Sequence, residues 1–363
     1  MARFHDWVEL TDATIRSVGS RGVADLYAVR HKLLEEHRGA IEREPKRWRR
    51  WARTGSALLF GLTAKLAPAR RLLFLIAIAV GVLSFVSLFS LSAAENSTVR
   101  TVASLFVAFA LLVFLLSLEL IDKIHLRDEL ELARDLQASL IPKEMPAIPG
   151  IEIAAFNRIA NTVGGDIYDF APLPDGRLAL LFGDASGHGM SAGLVMAVAQ
   201  AAFRTQLEIS SDADAMIPAL NRLICRTGGP RSFFTACYVL LSPGGEYTAV
   251  VAGHPPVLHY DRSATLVRRL GRGSYPLGIK TSVRWEQESG VLAPGDSLVF
   301  CSDGVPESCG PGDTMFGYDR LEEMCARHVG AADTAQRIMA EWESFTAGRA
   351  IEDDVSVAVI RRA

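Results

Sequence analysis

The sequence predicts an α+β sandwich domain that follows a transmembrane helical hairpin and a helical linker, within 363 residues. Three observations predict it. Two apolar runs without a charged residue, Leu72 to Ala94 and Thr101 to Leu118, each approach the roughly 20 residues that span a hydrocarbon core. The stretch ELIDKIHLRDELELARDLQASLIP then continues the helical period past the second run. From Ile151 onward, short β-like runs bounded by turn signals come in groups with helical stretches inserted, a pattern that suits an α+β sandwich better than a regular parallel βαβ sheet.

Composition narrows the function classes. The net charge of −3 gives no basis for a nucleic-acid partner. The mean hydropathy of +0.20 is high for a soluble protein, and residues 72 to 121 account for most of it. The five cysteines, Cys225, Cys237, Cys301, Cys309 and Cys325, form no CxxC pair and all lie in the second half, as expected for reduced thiols in a cytosolic domain.

Residues 1–70 read as a cytoplasmic head with a helical look from Leu26 to Glu42. Its basic cluster, Lys46, Arg47, Arg49 and Arg50 interleaved with Trp48 and Trp51, suits a lipid headgroup interface. No secretory leader is expected, because the first apolar run begins far from Met1. Residues 71–121 form the hairpin, with the polar turn Glu95 to Arg100 between its helices. Arg53, Lys65, Arg70 and Arg71 precede the hairpin, Lys123, Arg127 and Arg134 follow it, and Arg100 alone lies between, so the positive-inside rule puts both termini and the following domain on the cytoplasmic side of the cytoplasmic membrane.

In the linker, residues 122–149, an apolar seam runs through Leu126, Leu130, Ala133, Gln137 and Leu140. It predicts either a homodimeric coiled coil or an intramolecular docking face. Pro142, Pro146 and Pro149 end that helix. Its place between membrane and domain makes Ile121 to Leu140 the natural transmission element. In residues 150–363 the strands predicted are Ile151 to Phe156, Leu178 to Phe182, Phe233 to Leu241, Tyr247 to Ala252, Ser297 to Cys301 and Val355 to Ile360. The helices predicted are Met190 to Leu207, Asp212 to Cys225, Asp319 to His328 and Asp333 to Phe345.

Four acidic positions share one local design, an Asp beside glycine or another Asp at the edge of an apolar run. They are Asp166 in VGGDIYDF, Asp184 in LFGDASGHG, Asp303 in LVFCSDGVPES, and Asp353 with Asp354 in IEDDVSVAVI. Each alone reads as a turn or cap. Carboxylates that converge in a core must be neutralised, and hard divalent cations with oxygen ligands do that. With no zinc-like His/Cys spacing, two Mn²⁺ or Mg²⁺ ions that activate a water for attack on phosphorus are expected.

In their order, VGGDIYDF, FGDASGHGMSAG, FFTACYVLL, AGHPPVL, YPLGI, LAPGDSLVFCSDGVPES, FGYDRL and DDVSVAVI resemble the SpoIIE-type branch of the PPM (protein phosphatase 2C-like) superfamily, over roughly residues 130 to 362. The resemblance implies a β-sandwich of two antiparallel sheets flanked by helices, with a metal centre at one end. It implies Asp184 as the bridging ligand of two Mn²⁺ or Mg²⁺ ions, the Ala185 carbonyl on one of them, and Asp166, Asp303 and Asp353 completing the set. Asp354 stands where a supporting role or a ligand role is implied. The implied activity is hydrolysis of phosphoserine or phosphothreonine on a protein by metal-activated water without a phosphoenzyme, and the implied substrate class is the anti-sigma-factor antagonist.

Two departures from the family's eukaryotic pattern bear on the residues. Their Asp-Gly-His run has no match here, since Ala185 and Ser186 follow Asp184 and the histidine arrives at His188, a candidate general acid that competes with a loop-packing role. Their phosphate-binding arginine has no matching position. His254, between Gly253 and Pro255, is expected to organise its turn, and Gly164 with Gly165 to let backbone pass close to the metals. A phosphatase-like scaffold that binds a phosphoprotein without turnover is the alternative, and the intact acidic set argues against it. A small transporter or channel rests on the two spans alone, which hold no polar charge inside.

Overall fold

The structure is a computed structural model that describes residues 68–89 and 95–363, apart from 161, 162, 188, 230, 231, 272, 328, 329, 348 and 350, and of 87–89 and 95–98 the backbone alone. The expected helix Leu26 to Glu42, the basic cluster at 46–50 and the head as a whole lie outside the described residues. The chain forms two compact units, divided between His125 and Leu126.

In the first unit, α1 (Pro68–Phe89) meets the upper part of α2 (Glu95–Leu140). Small residues make the contact. Ala77 and Ala108 are buried, a Cβ on Gly81 would stand 3.9 Å from that of Ala108, and the Ser84 hydroxyl donates to Ser104 Oγ at 2.6 Å. Close backbone approach through Gly, Ala and Ser is how apolar helices pair where no hydrophobic effect drives them together. Arg70 closes the base on Asp122 at 2.6 Å and Glu119 at 3.3 Å. Leu83, Phe106 and Leu116 point outward and exposed, and both helices are long and apolar enough to cross a membrane. The expected polar turn at Glu95 to Arg100 is corrected: these residues open α2, because nothing in ENSTVR breaks a helix. The helix then runs unbroken to Leu140, so the second span and the linker are one element.

The second unit holds two five-stranded sheets. One has the order β1 (Ile151–Arg158), β10 (Val355–Arg362), β9 (Ser297–Cys301), β6 (Val257–Asp261), β7 (Leu266–Leu270). The other has the order β2 (Ile167–Pro172), β3 (Leu178–Ala185), β4 (Phe234–Leu241), β5 (Glu246–Ala252), β8 (Gln287–Val291). Every pairing within them is antiparallel. The helices α3 (Met190–Leu207) and α4 (Ala213–Thr227) cover the outer face of the second sheet, and α5 (Tyr318–Arg327) and α6 (Ala331–Thr346) that of the first.

This layering explains the apolar run in β3. Leu178, Leu180 and Phe182 face the other sheet, while Ala179 and Leu181 face α3 and α4. Successive side chains on a strand point to opposite faces, so a strand covered on both sides reads as continuously apolar. Burying each Leu or Phe there stabilises the fold by about 1.5–3 kcal/mol. The six expected strands and four expected helices are present, each shifted by at most a few residues. β2, β6, β7 and β8 were not expected. β7 and β8 are edge strands with exposed polar positions such as Arg268 and Gln287, and such edges carry little apolar signal.

Only the end of the linker seam docks within its own unit, while Leu126 at its start is exposed. Gln137 is buried and Leu140 packs against the core beneath α3 and α4. The flanking positions Leu132 and Leu136 stay exposed.

Candidate metal centre

The strand end of β3 delivers the first donors. Asp184 pairs in register with Thr235 of β4, and Gly183 before it is required because a Cβ there would run into the Thr235 carbonyl and the Phe234 ring. Asp184 Oδ1 and the Ala185 carbonyl oxygen converge on one spot, 2.7 Å and 2.8 Å from where a Cβ on Gly165 would stand. Any side chain at Gly165 would fill that spot, so the glycine leaves room for both oxygens. The Ala185 N–H donates to the Gly165 carbonyl at 3.2 Å, tying the two segments.

Asp166 follows directly and is buried, and its Oδ2 has no hydrogen-bond partner among the described residues. Burial raises its carboxyl well above the ordinary range, Asp354 and Asp303 add to the rise, and Ser356 and Ser302 oppose it by hydrogen bonding. Burial likewise raises Asp184, with Asp166, Asp303, Asp353 and Asp354 pushing the same way. Asp303, just beyond β9, is raised by burial, Asp353 and Glu307. Asp303 and Asp353 line one cavity of about 480 Å³ with Gly304, Glu307, Arg349 and Glu352.

Asp354 does a different job. Its Oδ2 accepts the Gly165 N–H at 2.6 Å and its Oδ1 the Ala160 N–H at 2.8 Å, so its carboxylate clamps the glycine loop. Asp353 Oδ1 accepts the Asp354 N–H at 2.8 Å, and Asp353 lines the cavity. Of the two roles expected for Asp354, the supporting one matches this geometry.

The donor set fits divalent ions on two observations. Burial and neighbouring carboxylates raise Asp166, Asp184 and Asp303, and one buried oxygen of Asp166 has no partner among the described residues, which is the condition a hard cation relieves. Oxygen ligands without cysteine or histidine suit magnesium or manganese. Among the described residues, no three His, Cys, Asp or Glu side chains are gathered around a single point. The carbonyl of Ala185 and water are the ligands that would complete such ions, and magnesium in particular keeps several waters.

His188 lies outside the described residues. His254 is buried at the ends of β3, β4 and β5, with its Nδ1 2.9 Å from Thr235 Oγ1, and burial lowers its imidazole to about 3. It touches no site carboxylate directly. Gln137 was read only as a seam position. Its amide makes two hydrogen bonds to one residue of the site loop: Nε2 donates to the Gly164 carbonyl at 2.7 Å and Oε1 accepts the Gly164 N–H at 2.9 Å. The available signal was a polar residue in an otherwise apolar seam. All five cysteines are free.

The raised carboxylates set a pH dependence. Asp166, Asp184 and Asp303 bind protons more tightly in the folded than in the unfolded chain, so the folded state holds more protons above the ordinary carboxylate value of about 4. Their contribution to stability is complete below about pH 4 and is lost as pH rises through the folded values. Thermal unfolding of the metal-free protein is expected to move to lower temperature between acidic and neutral pH, and Mn²⁺ is expected to remove most of that fall. A midpoint that rises over this range without metal would contradict the burial of these groups.

A family model described as Stage II sporulation protein E (SpoIIE) matches residues 174–363. Phosphoserine phosphatase RsbU of Bacillus subtilis (strain 168) is 24% identical over 244 residues, which cover 66% of this chain and 71% of that protein. Across three such relatives, the chain spans 71%, 42% and 50% of their length. Among solved structures, the SiaA-PP2C domain of Pseudomonas aeruginosa superposes with a TM-score of 0.59 at 18% identity, covering 66% of this chain and 98% of that one. The RsbU and RsbW domains of Rv1364c from Mycobacterium tuberculosis superpose with a TM-score of 0.50 at 29% identity, covering 60% of this chain and 61% of that one. The two antiparallel sheets and flanking helices are the fold these structures share.

Proposed function

The chain belongs to the SpoIIE family, and from that premise we propose that it is a membrane-anchored, metal-dependent protein-serine/threonine phosphatase of bacterial signalling, acting on a phosphoprotein of the anti-sigma-factor-antagonist kind. The observation that carries the reading is the convergence of Asp184 Oδ1 and the Ala185 carbonyl on the space left by Gly165, with Asp166, Asp303 and Asp353 around it. Asp184 would bridge, and Asp166, Asp303, Asp353 and the Ala185 carbonyl would complete the ligands. When bound, two Mn²⁺ or Mg²⁺ ions supply charge neutralisation and an activated water for in-line attack at phosphorus.

The chain's own residues prepare that chemistry. Asp354 holds the Gly164–Gly165 backbone at a fixed distance from Asp184. Ser302 donates to the Asp354 carbonyl and accepts the Ser356 N–H, joining β9 to β10 where Asp303 and Asp353 leave them. Electrostatic preorganisation of this sort is the larger part of catalysis in phosphoryl transfer, where little covalent work falls to the protein. His188 is the general-acid candidate.

The anchor is α1 with the upper part of α2, whose exposed apolar side chains call for lipid. The basic flanks support cytoplasmic termini on the cytoplasmic membrane. The linker helix controls competence, a role supported by the Gln137 contact to Gly164. The exposed Leu132 and Leu136 leave a stripe through which two linker helices could pair as a homodimer.

The test is hydrolysis of a phosphoserine peptide by the full-length protein in detergent or lipid. Turnover is expected with Mn²⁺ or Mg²⁺ and none after chelation. Absence of turnover with every divalent ion tried, alongside stoichiometric capture of a phosphoprotein, would replace the enzyme by a binding scaffold.

A further inference from the structure

We propose that His254 is a positioning residue for the metal centre, acting through Thr235 to set where Asp184 and Ala185 leave β3. The inference rests on the metal-centre reading above. Three contacts carry it. The Thr235 hydroxyl donates to the Asp184 carbonyl at 3.2 Å. The same hydroxyl oxygen lies 2.9 Å from His254 Nδ1. The imidazole ring stands edge-on to Phe182, two residues before Asp184, with centroids 5.3 Å apart.

A hydroxyl has one hydrogen. With the imidazole proton on Nε2 the hydroxyl donates to Nδ1 and releases the Asp184 carbonyl; when Thr235 gives its hydrogen to that carbonyl, it receives one from His254, with the imidazole proton on Nδ1. His254 Nε2 then carries only a lone pair, and that atom has no partner among the described residues. A buried unpaired acceptor is tolerated more readily than an orphaned N–H. The Cys301 main chain of β9, two residues before Asp303, acts on the ring as an acceptor and raises its proton affinity against the effect of burial, so the imidazole stands between the Asp184 strand and the strand that leads to Asp303. Asp184 belongs to one sheet and Asp303 to the other. Their separation depends on what fills the gap between the sheets at this end, and a rigid ring held by a directed hydrogen bond defines it better than a rotatable aliphatic side chain would.

This differs from simple packing in a way that can be measured. If the relay operates, the ring N–H and the hydroxyl are one device, and losing either has the effect of losing both. Full-length protein carrying His254→Phe, Thr235→Val or both would be titrated with Mn²⁺ by electron paramagnetic resonance of the free ion, with the thermal midpoint of the metal-free forms recorded beside it. His254→Phe is expected to weaken Mn²⁺ binding by about 10-fold or more, within the range found when partners of metal ligands are removed. Thr235→Val is expected to match it, and the double variant to be no worse than either. His254→Asn, which keeps a side-chain N–H donor, is expected to recover part of the affinity. The metal-free midpoints are expected to change far less than the affinities. Unchanged Mn²⁺ affinity in the single variants, or losses that multiply in the double variant, would overturn the proposal and leave the metal centre standing. If the unaltered protein bound no Mn²⁺, the metal centre itself would fall and the proposal with it. A variant too unstable to titrate is replaced by Thr235→Ser, which keeps the hydroxyl and is expected to bind Mn²⁺ normally; a 10-fold loss there would assign the effect to packing and overturn the relay.

Discussion

Replacing Asp184 by asparagine is expected to lower kcat/KM by at least about 10³-fold, roughly 4 kcal/mol of transition-state stabilisation. Its carboxylate lies beside the Ala185 carbonyl and would be a ligand of the proposed divalent ions, whose charge a neutral amide would not compensate. The same substitution is expected to stabilise the metal-free protein. Asp184 is raised by burial and by four neighbouring carboxylates, so at neutral pH the folded state carries an ionised group that solvent would hold more cheaply. Activity that falls while the metal-free midpoint rises is the combination to look for. Asp175→Asn, at an exposed turn where the carboxylate meets Arg177, is the control and is expected to leave turnover unchanged. Asp184→Asn with more than a tenth of the original activity would remove the residue from the centre of the site.

The second large effect is expected at Gln137. Its amide satisfies both backbone groups of Gly164 in a buried setting, and Gly165 beside it is held by Asp354. Gln137→Leu keeps the size and the apolar seam but leaves a buried N–H and a buried C=O without partners, at about 1–3 kcal/mol each. The loop can recover those bonds from water only by moving away from the linker, which carries Gly165 away from Asp184. A decrease in kcat of about 10- to 100-fold is expected, together with faster amide exchange across residues 163–166. Faster exchange with unchanged turnover would show that the linker stabilises the loop without controlling the chemistry. An increase in turnover would show that the docked linker is the restrained state.

This contact joins the last turns of α2 to the glycine loop beside Asp184. α2 is one helix from Glu95 to Leu140, and its last turns end on the site loop through Gln137 and on α3, where Gln200 Nε2 donates to the Leu140 carbonyl at 2.6 Å. Gln200 also donates to Asp169 at 3.3 Å, and Arg204 on the same helix holds that buried carboxylate at 2.7 Å. Since α3 begins immediately after the Asp184 loop, a shift of the linker changes both sides of the donor pair at once. Bistable docking of one helix is a common means of switching.

Much of this was readable in the residues. The two apolar runs, the change to short strands after Ile151 and the acidic positions beside glycine are local patterns, and local patterns report secondary structure and composition directly. The strands that escaped notice were β2, interrupted by the buried Asp169, β6 with its buried His259, and the edges β7 and β8. Buried polar residues and solvent-facing edges both weaken the alternation that identifies a strand. The expected turn at Glu95 failed for the opposite reason, since a polar stretch with no glycine or proline is as compatible with a helix as with a loop.

By itself, then, the sequence determined the kinds of element, their order, the acidic donors and, through the order of its motifs, the family. Only the tertiary structure decided what each acid does. Asp353 and Asp354 are neighbours of one chemical type, yet one lines the cavity and the other holds two backbone N–H groups of a loop that lies far away in the chain. The two lie at the bend just before β10, so which of them lines the cavity depends on how β10 sits against β9 and the glycine loop. Gln137 and His254 acquired their roles in the same way. Each acts through a partner brought to it by the packing of helix on sheet or sheet on sheet, and no periodicity in the chain records which partner that will be.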